Sequence, residues 1–233
     1  MTYWKGSDIV HRFPFGRLIK HKSRQQNSSK WIPSIKRKTK KVAWISSTCR
    51  TSVQREHFVR ELSKYIDVDI YGECGSMHCG TTDECDAIIK RDYKFILALE
   101  HTLCSDFISE RLFWTLNLDA IPIVYGKANY KEFAPHYSYI DANSFQSSKE
   151  LADFLLMVGS NDNIYQSFFE WKKHLRVERF PTNGWCDLCE KIDNPLSAHK
   201  RSSYKDINDW WMGHATCDSS YHQRLIYPPL KFE

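Results

Sequence analysis

Long apolar runs are missing from this sequence. No stretch approaches the roughly 20 apolar residues that a membrane-spanning helix requires, and the first residues lack the apolar centre of a secretory signal. Internal repeats and low-complexity blocks are missing too, which excludes solenoid and fibrous classes. What remains is a globular chain of 233 residues, and its 42% hydrophobic and 14% aromatic content is ample for a core.

Acidic residues are scarce at the start of the chain. Residues 1–41 hold 12 lysines and arginines against one aspartate, whereas the remainder holds 21 against 27 acidic residues. A basic arm can bind nucleic acid or an anionic membrane, but this arm has no repeated base-stacking motif and precedes an acidic body. We therefore interpret it as a solvated linker and expect no nucleic-acid partner.

The cysteines form an even set of eight, which is typical of an oxidising compartment. The disulfide candidates are Cys49, Cys74, Cys79, Cys85, Cys104, Cys186, Cys189 and Cys217. Zinc is the alternative, because Cys186 and Cys189 have ligand spacing and His78 and His214 offer further donors. Since no second tight pair completes a zinc finger, disulfides are the preferred interpretation.

Apolar runs of strand length alternate with helical patterns from residue 42 onward. Strands are predicted at residues 42–45, 68–71, 95–99, 121–125 and 137–140, and helices at 86–90, 148–158 and 164–175, with others after the first and third strands. This order predicts an α/β fold, a Rossmann-like doubly wound parallel sheet. We expect a connecting segment at 1–40, a Rossmann-like domain at 41–180 and a cysteine-containing tail at 181–233.

The stretch from Tyr93 to Gly126 is the most informative part of the chain. It reads strand, helix, strand, and we expect Asp106 to cap the helix. Phe107, Glu110 and Arg111 then share one helix face beyond the carboxyl ends of the strands, where phosphates bind. An aromatic surface, an acceptor for sugar hydroxyls and a cation are thereby brought together. The alternative is a solvated Glu–Arg pair on an ordinary helix.

This stretch resembles the signature of the α1,3-fucosyltransferases, in which Phe-Glu-Asn ends a strand and Asp-Tyr-Val-Thr-Glu-Lys and Pro-Val-Val-x-Gly follow. Glu100 and Glu110 match the two signature glutamates, whereas His101 stands for the asparagine, Phe107 for the tyrosine and Arg111 for the lysine. The likeness covers roughly residues 41–192 and extends weakly to residues 1–3 and 7–9.

The resemblance implies the C-terminal half of a GT-B type glycosyltransferase, with GDP-fucose as the donor. Arg55 matches an arginine near the donor phosphates, so the donor-binding residues are expected to be Arg55, Glu100, His101, Phe107, Glu110 and Arg111. The implied reaction is an inverting α1,3 transfer of fucose to N-acetylglucosamine of a glycoprotein glycan. The general base is expected in an N-terminal acceptor domain that is largely absent here.

The resemblance also implies the Golgi lumen, with membrane attachment only through an anchor that is absent from this chain. Asn27 begins an Asn-Ser-Ser sequon on a polar loop and is the glycosylation candidate in such a compartment. No tightly bound cofactor and no metal ligand are expected, although stimulation of family members by Mn²⁺ leaves a loose metal requirement open. Asp67 and Asp69 form an Asp-x-Asp pattern, which we interpret as structural because it starts a strand.

Two other functions stay open at this point. The first is a pseudoenzyme or fragment that binds a nucleotide sugar or glycan without turnover, which the altered signature and the missing base would permit. The second is an unrelated redox or zinc protein that uses the cysteines. The sequence does not distinguish the N-glycan core from an outer lactosamine unit as the acceptor.

Overall fold

A computed structural model of the chain describes residues 1–11, 15–21, 33, 35–179, 183–194, 203–218 and 225. The strands are β1 (Gly16–Lys20), β2 (Lys40–Ser46), β3 (Val68–Gly72), β4 (Tyr93–Leu99), β5 (Ile121–Tyr125), β6 (Ile140–Asp141) and β7 (Leu175–Arg179). The α-helices are α1 (Arg55–Leu62), α2 (Thr82–Asp92), α3 (Glu110–Leu116), α4 (Ser148–Ser160), α5 (Asp162–Ser167), α6 (Asn183–Asp193) and α7 (Ile207–Ala215).

The main sheet has five strands in the order β3-β2-β4-β5-β6, and every neighbouring pair is parallel. At its carboxyl edge Ser46 lies opposite Gly72, and Leu99 lies opposite Tyr125. The chain first builds outward from β2 to β3 and then returns to β4 on the other side, so the winding direction reverses between β2 and β4. The predicted α/β fold is confirmed, and this reversal is where ligands bind in sheets of this type.

Helices cover both faces of the sheet. On one face, residues of α1 and α4 pack against alternate side chains of β2, β4 and β5 in the largest hydrophobic cluster. On the other face, α3 packs against Ala98 and Val124, and α2 packs near Ala43 and Ile96. Because the central strands are buried on both sides, they read in the sequence as continuous apolar runs rather than as alternating patterns.

A separate two-stranded antiparallel ribbon joins β1 to β7, with Gly16 opposite Arg179. It packs on α3 through Leu18 and Val177. The sequence did not predict this ribbon, and the helix predicted at 164–175 was partly wrong, because α5 stops at Ser167 and β7 begins at Leu175. The pairing joins segments more than a hundred residues apart, so no local periodicity reports it.

The last strand of the sheet is shorter than expected. The prediction placed it at residues 137–140, but β6 is only Ile140–Asp141, and Tyr137 has a positive φ of 61° that no strand accommodates. None of the helices in the described ranges is long and apolar enough to cross a membrane. The domain boundaries expected at residues 40 and 180 stay predictions.

Candidate functional site

Arg55, the first residue of α1, lies at the point where the sheet reverses. Its guanidinium donates from Nη1 to the Leu99 carbonyl at 3.1 Å, and from Nη2 to Ser46 Oγ at 3.1 Å and to the Thr48 carbonyl at 2.9 Å. The side chain is buried and lies over the Trp44 ring. Arg55 therefore ties the carboxyl ends of β2 and β4 together, and its predicted contact with the donor phosphates stays a prediction.

The electrostatics of Arg55 connect it to Arg111. Burial lowers the pKa of Arg55, and the positive charge of Arg111 acts in the same direction. The positive charges of Arg55 and Arg111 therefore repel each other at this edge of the sheet. An anionic ligand placed here would relieve that repulsion, which is the electrostatic character expected of a diphosphate site.

Glu100 follows β4 directly and is 1% exposed. Its Oε1 accepts a hydrogen bond from the Ser109 main-chain nitrogen at 3.0 Å, whereas its Oε2 has no hydrogen-bond partner within the described residues. Burial raises the pKa of Glu100 to about 7, against the opposing effects of the Ser109 hydrogen bond and of Arg111. Glu100 therefore holds the start of α3 instead of facing solvent.

Tyr130 and Gly126 complete the packing around Glu100. A Cβ added to Gly126 would lie 2.2 Å from the Tyr130 hydroxyl oxygen and 2.9 Å from Glu100 Cγ, so this position has no room for a side chain. The Tyr130 ring is buried, and burial raises the pKa of its hydroxyl further, helped by the Glu100 charge. The loop after β5 is thus packed against the residue that ends β4.

The N-terminus of α3 differs from the prediction in its cap. Ser109 is the N-cap, and its Oγ accepts from the Arg111 nitrogen at 3.3 Å. Asp106, the predicted cap, has a left-handed φ of 62° and faces Lys5 at 3.4 Å. The helix therefore starts at Glu110, because the buried Glu100 carboxylate fixes Ser109 in an extended conformation just before it.

His101, Glu110 and Arg111 meet at the start of α3. Arg111 Nη1 donates to Nδ1 of His101 at 3.3 Å and lies 4.0 Å from the Glu110 carboxylate. Partial burial lowers the pKa of His101, and the charges of Arg111 and Arg55 add to this effect. The lowered pKa favours the neutral ring, whose Nδ1 then accepts from Arg111 and orients its guanidinium.

Phe107 precedes α3, so the predicted single helix face shared by Phe107, Glu110 and Arg111 is wrong for Phe107. The residue is nevertheless brought to the same cluster, because its ring packs edge-on against His101 at 5.1 Å between centroids. The Tyr3 ring also packs edge-on against Phe107 at 5.2 Å between centroids, and against Trp211 of α7 at 5.4 Å. The first residues of the chain therefore contact this cluster, and α7 contacts it through Tyr3.

Covalent and main-chain bonds also anchor the loop between β4 and α3. A disulfide joins Cys104 to Cys217, just beyond α7. The Ser105 nitrogen donates to the Ala215 carbonyl, and the Asp218 nitrogen donates to the Leu103 carbonyl, both at 2.9 Å. This bond attaches the C-terminal part of the chain to the loop after β4.

Comparison with protein families identifies the chain. The family model described as "Glycosyltransferase family 10 (fucosyltransferase) C-term" matches residues 35–210. The chain belongs to glycosyltransferase family 10. The matched range contains all of the main sheet and every residue of the cluster at the start of α3.

Curated relatives agree with this membership. The chain is 39% identical over 221 residues to "Glycoprotein 3-alpha-L-fucosyltransferase A" of Drosophila melanogaster, which covers 93% of this chain and 43% of the relative. It is also 39% identical over 175 residues to "Alpha-(1,3)-fucosyltransferase C" of the same species, covering 75% of this chain and 41% of the relative. The family 10 chain thus spans less than half the length of these two relatives.

A solved structure shares the fold. A crystal structure of an α1,3-fucosyltransferase with GDP-fucose superposes with a TM-score of 0.55 over 72% of this chain and 51% of the other, at 16% identity. At this identity the likeness establishes the Rossmann-like fold of the family 10 chain and nothing finer.

The other disulfide candidates and the glycosylation candidate have different outcomes. A second disulfide joins Cys79 to Cys85, whereas Cys49, Cys74, Cys186 and Cys189 are free thiols. The glycosylation candidate Asn27 lies outside the described residues. Its modification stays a prediction.

The Asp-x-Asp pattern has a structural explanation. Asp69 in β3 accepts hydrogen bonds from Lys40 at 2.7 Å and from the Tyr93 hydroxyl at 2.5 Å, and these contacts lower its pKa. Across the part of the chain that the structure describes, no group of three or more His, Cys, Asp and Glu side chains is arranged to hold a metal ion.

Sequence reasoning missed Ser109, Tyr130 and Tyr3 as parts of the site. Ser109 carried a signal, because a serine directly before Glu110 is a typical N-cap pattern. Tyr130 and Tyr3 carried no such signal beyond the resemblance. Only the tertiary structure brings Tyr130 to Glu100 and Tyr3 to Phe107.

Proposed function

We propose that this chain is the donor-binding part of an α1,3-fucosyltransferase that transfers fucose from GDP-fucose to N-acetylglucosamine of glycoprotein glycans. The observation that carries the proposal is the cluster of Arg111, His101 and Glu110 at the start of α3, beside the reversal of the sheet. It lies where α/β sheets bind nucleotides, in a chain that belongs to family 10. The solved α1,3-fucosyltransferase structure that shares this fold was determined with GDP-fucose.

Each residue of the cluster has a role in this proposal. Arg111 pairs with the diphosphate and stabilises the negative charge that develops on departing GDP. The buried Arg55 adds positive potential from the carboxyl ends of β2 and β4. The Glu110 carboxylate accepts from ribose hydroxyls. His101 orients the Arg111 guanidinium, and the Phe107 ring provides an apolar contact surface.

The proposed reaction is an inverting displacement. The acceptor hydroxyl oxygen forms a bond to the anomeric carbon of fucose as the bond from that carbon to the GDP oxygen breaks, and a carboxylate base takes the hydroxyl proton. We do not assign that base to Glu100, because its carboxylate is buried and bonded to Ser109. As the resemblance to the α1,3-fucosyltransferases implies, we place the base in an N-terminal acceptor domain.

The setting of this reaction follows from the same proposal. A Golgi lumenal location is supported by the Cys79–Cys85 and Cys104–Cys217 disulfides, which require an oxidising compartment. The first-named relative acts on glycoproteins by its name, which supports a glycoprotein glycan as acceptor. No tightly bound cofactor is proposed, and Mn²⁺ stimulation is a matter for assay.

Calorimetric titration with GDP-fucose tests the proposal. Wild-type protein should bind GDP-fucose in preference to GDP-mannose, and Arg111→Ala and Glu110→Ala should each weaken binding about 10-fold or more, as expected for losing a charge-assisted hydrogen bond. Arg91→Ala and Glu61→Ala are matched controls at the opposite edge of the sheet, where these residues pair with Asp92 and Lys64. Equal losses in the control variants would count against the assigned site.

A transfer assay then separates the enzyme from the binding module. Transfer of radiolabelled fucose to an N-acetylglucosamine acceptor supports the enzyme. Tight, selective GDP-fucose binding without transfer, in a protein extended to the length of its relatives, would favour the pseudoenzyme.

A further inference from the structure

Two of the free thiols lie on neighbouring loops at the carboxyl edge of the sheet. Strands β2 and β3 end side by side, with Ser46 opposite Gly72. The Glu73 nitrogen donates to the Ser46 carbonyl at 3.0 Å, so the two chains leave the sheet together. Cys49 and Cys74 are three and two residues beyond that register.

Gly72 makes this close approach possible. Its φ is +91°, and a Cβ at this position would lie 2.3 Å from the Ser46 carbonyl oxygen. A residue with a side chain would force the two loops apart. The backbone is thus built to keep the segments that carry Cys49 and Cys74 in contact.

The two thiols are near neighbours. Both cysteines are partly buried, and the Cys49 and Ser46 side chains both influence the pKa of the Cys74 thiol. Cys74 also packs against the main hydrophobic cluster, which fixes its position. Burial and the neighbouring Cys49 thiol raise the pKa of the Cys74 thiol.

We propose that Cys49 and Cys74 are a modification site, at which oxidation forms a third disulfide of this chain. The oxidant is a disulfide of a protein thiol oxidoreductase, such as an oxidising secretory compartment supplies. One thiolate attacks that disulfide and forms a mixed disulfide with the oxidant. The second cysteine then attacks this mixed disulfide and displaces the oxidant as a thiol. The Cys49–Cys74 sulfur–sulfur bond forms, the oxidant's bond breaks, and two electrons and two protons pass to the oxidant.

The cross-link would act on the loop that holds Arg55. Ser46 Oγ and the Thr48 carbonyl both accept hydrogen bonds from Arg55, and Cys49 is the next residue of that loop. A covalent bond to Cys74 fixes this loop to the end of β3. The disulfide therefore positions the acceptors that keep the Arg55 guanidinium at the reversal of the sheet.

The assumption of an oxidising secretory compartment rests on the proposed function. The test of the cross-link itself does not depend on that function. The protein is secreted from eukaryotic cells, its free thiols are blocked, and it is digested with trypsin without reduction. Mass spectrometry should find peptide 42–50, with Cys49, joined to peptide 65–90 at a mass four hydrogens below the sum of the two reduced peptides, because peptide 65–90 also holds the Cys79–Cys85 bond. Fragmentation should place the cross-link at Cys74. The Cys104–Cys217 bond serves as the internal control for oxidation.

Full blocking of Cys49 and Cys74 in a preparation with the Cys104–Cys217 bond intact would overturn the proposal, as would a bond from Cys49 to another cysteine. A Cys49→Ser/Cys74→Ser variant should show faster amide hydrogen exchange in residues 46–50, whereas Cys186→Ser/Cys189→Ser on α6 should not. Unchanged exchange would overturn the positioning role. If the linked peptide is found but GDP-fucose does not bind, the cross-link stands and the proposed function fails.

Discussion

The buried carboxylate of Glu100 accepts a hydrogen bond from the main-chain nitrogen of Ser109 at 3.0 Å. This bond joins the end of β4 to the N-cap of α3, and the two residues after that cap are Glu110 and Arg111. A residue that never reaches solvent thus fixes the position of two residues that do.

Glu100→Gln should remove a pH dependence of stability. Because burial raises the folded-state pKa of Glu100 to about 7 while an unfolded glutamate titrates near 4.3, the folded state binds the extra proton between these values. Stability from this group is present below about pH 4 and falls as the pH rises toward 7, by ~4 kcal/mol at most. Glutamine keeps the acceptor for Ser109 without the charge.

Urea denaturation of wild type and Glu100→Gln at pH 5 and pH 8 measures this effect. The variant should gain more stability relative to wild type at pH 8 than at pH 5. Glu100→Ala, which leaves the Ser109 nitrogen without its acceptor, should be less stable than Glu100→Gln at both pH values. A constant difference between wild type and the glutamine variant would contradict the assignment.

Arg111→Ala should raise the pKa of His101. Partial burial is the largest cause of its lowered pKa, and the Arg111 charge is the next, so removing that charge moves the pKa back toward the ordinary value. NMR titration of the His101 ring measures the change. Arg91→Ala, a remote exposed arginine, should leave the His101 titration where it is in wild type.

Gly126→Ala should destabilise the fold by about 1–3 kcal/mol, the usual effect of overpacking a core. The new Cβ would lie 2.2 Å from the Tyr130 hydroxyl oxygen, and 3.3 Å from the ring carbon that carries it. Adding Tyr130→Phe removes the closest atom, so the double variant should recover part of the loss. Thermal unfolding reports both.

Gly213→Ala is the matched control for that substitution. Apart from the neighbouring residues and backbone of α7 itself, no atom of the described residues lies within 4 Å of a Cβ added at Gly213, and alanine is the better helix former by roughly 0.5–1 kcal/mol. It should therefore stabilise the protein slightly. A comparable loss at both glycines would refute the steric explanation for Gly126.

Cys104→Ser/Cys217→Ser should destabilise the protein more than Cys79→Ser/Cys85→Ser does. The first disulfide links residues 113 apart and the second links residues 6 apart. In the chain-entropy description the long loop contributes about 5 kcal/mol and the short one about 2 kcal/mol. Urea unfolding of both double variants gives the comparison, and the reverse order would contradict it.

The donor affinity of the same two variants adds a functional readout. Loss of the Cys104–Cys217 bond should weaken GDP-fucose binding, because the bond anchors the loop that carries Phe107. Loss of the Cys79–Cys85 bond, before α2, should change binding much less.

The central strands show how far local pattern predicts this fold. Strand β5 was predicted with its bounds unchanged, because a strand buried on both faces must be apolar at every position. The ribbon of β1 and β7 was not predicted, since its pairing depends on docking against α3. In the site, Glu110 and Arg111 were found at the helix start, whereas Asp106 was mistaken for the cap.

Residue identity and short-range periodicity were enough to predict the family, the α/β class and the charged residues at the start of α3. The burial of Arg55 and Glu100 next to these residues, the start of α3 at Ser109 and the pairing of cysteines could be read only from the folded chain. Burial and hydrogen-bond partners come from segments distant in the sequence, and no local pattern records them.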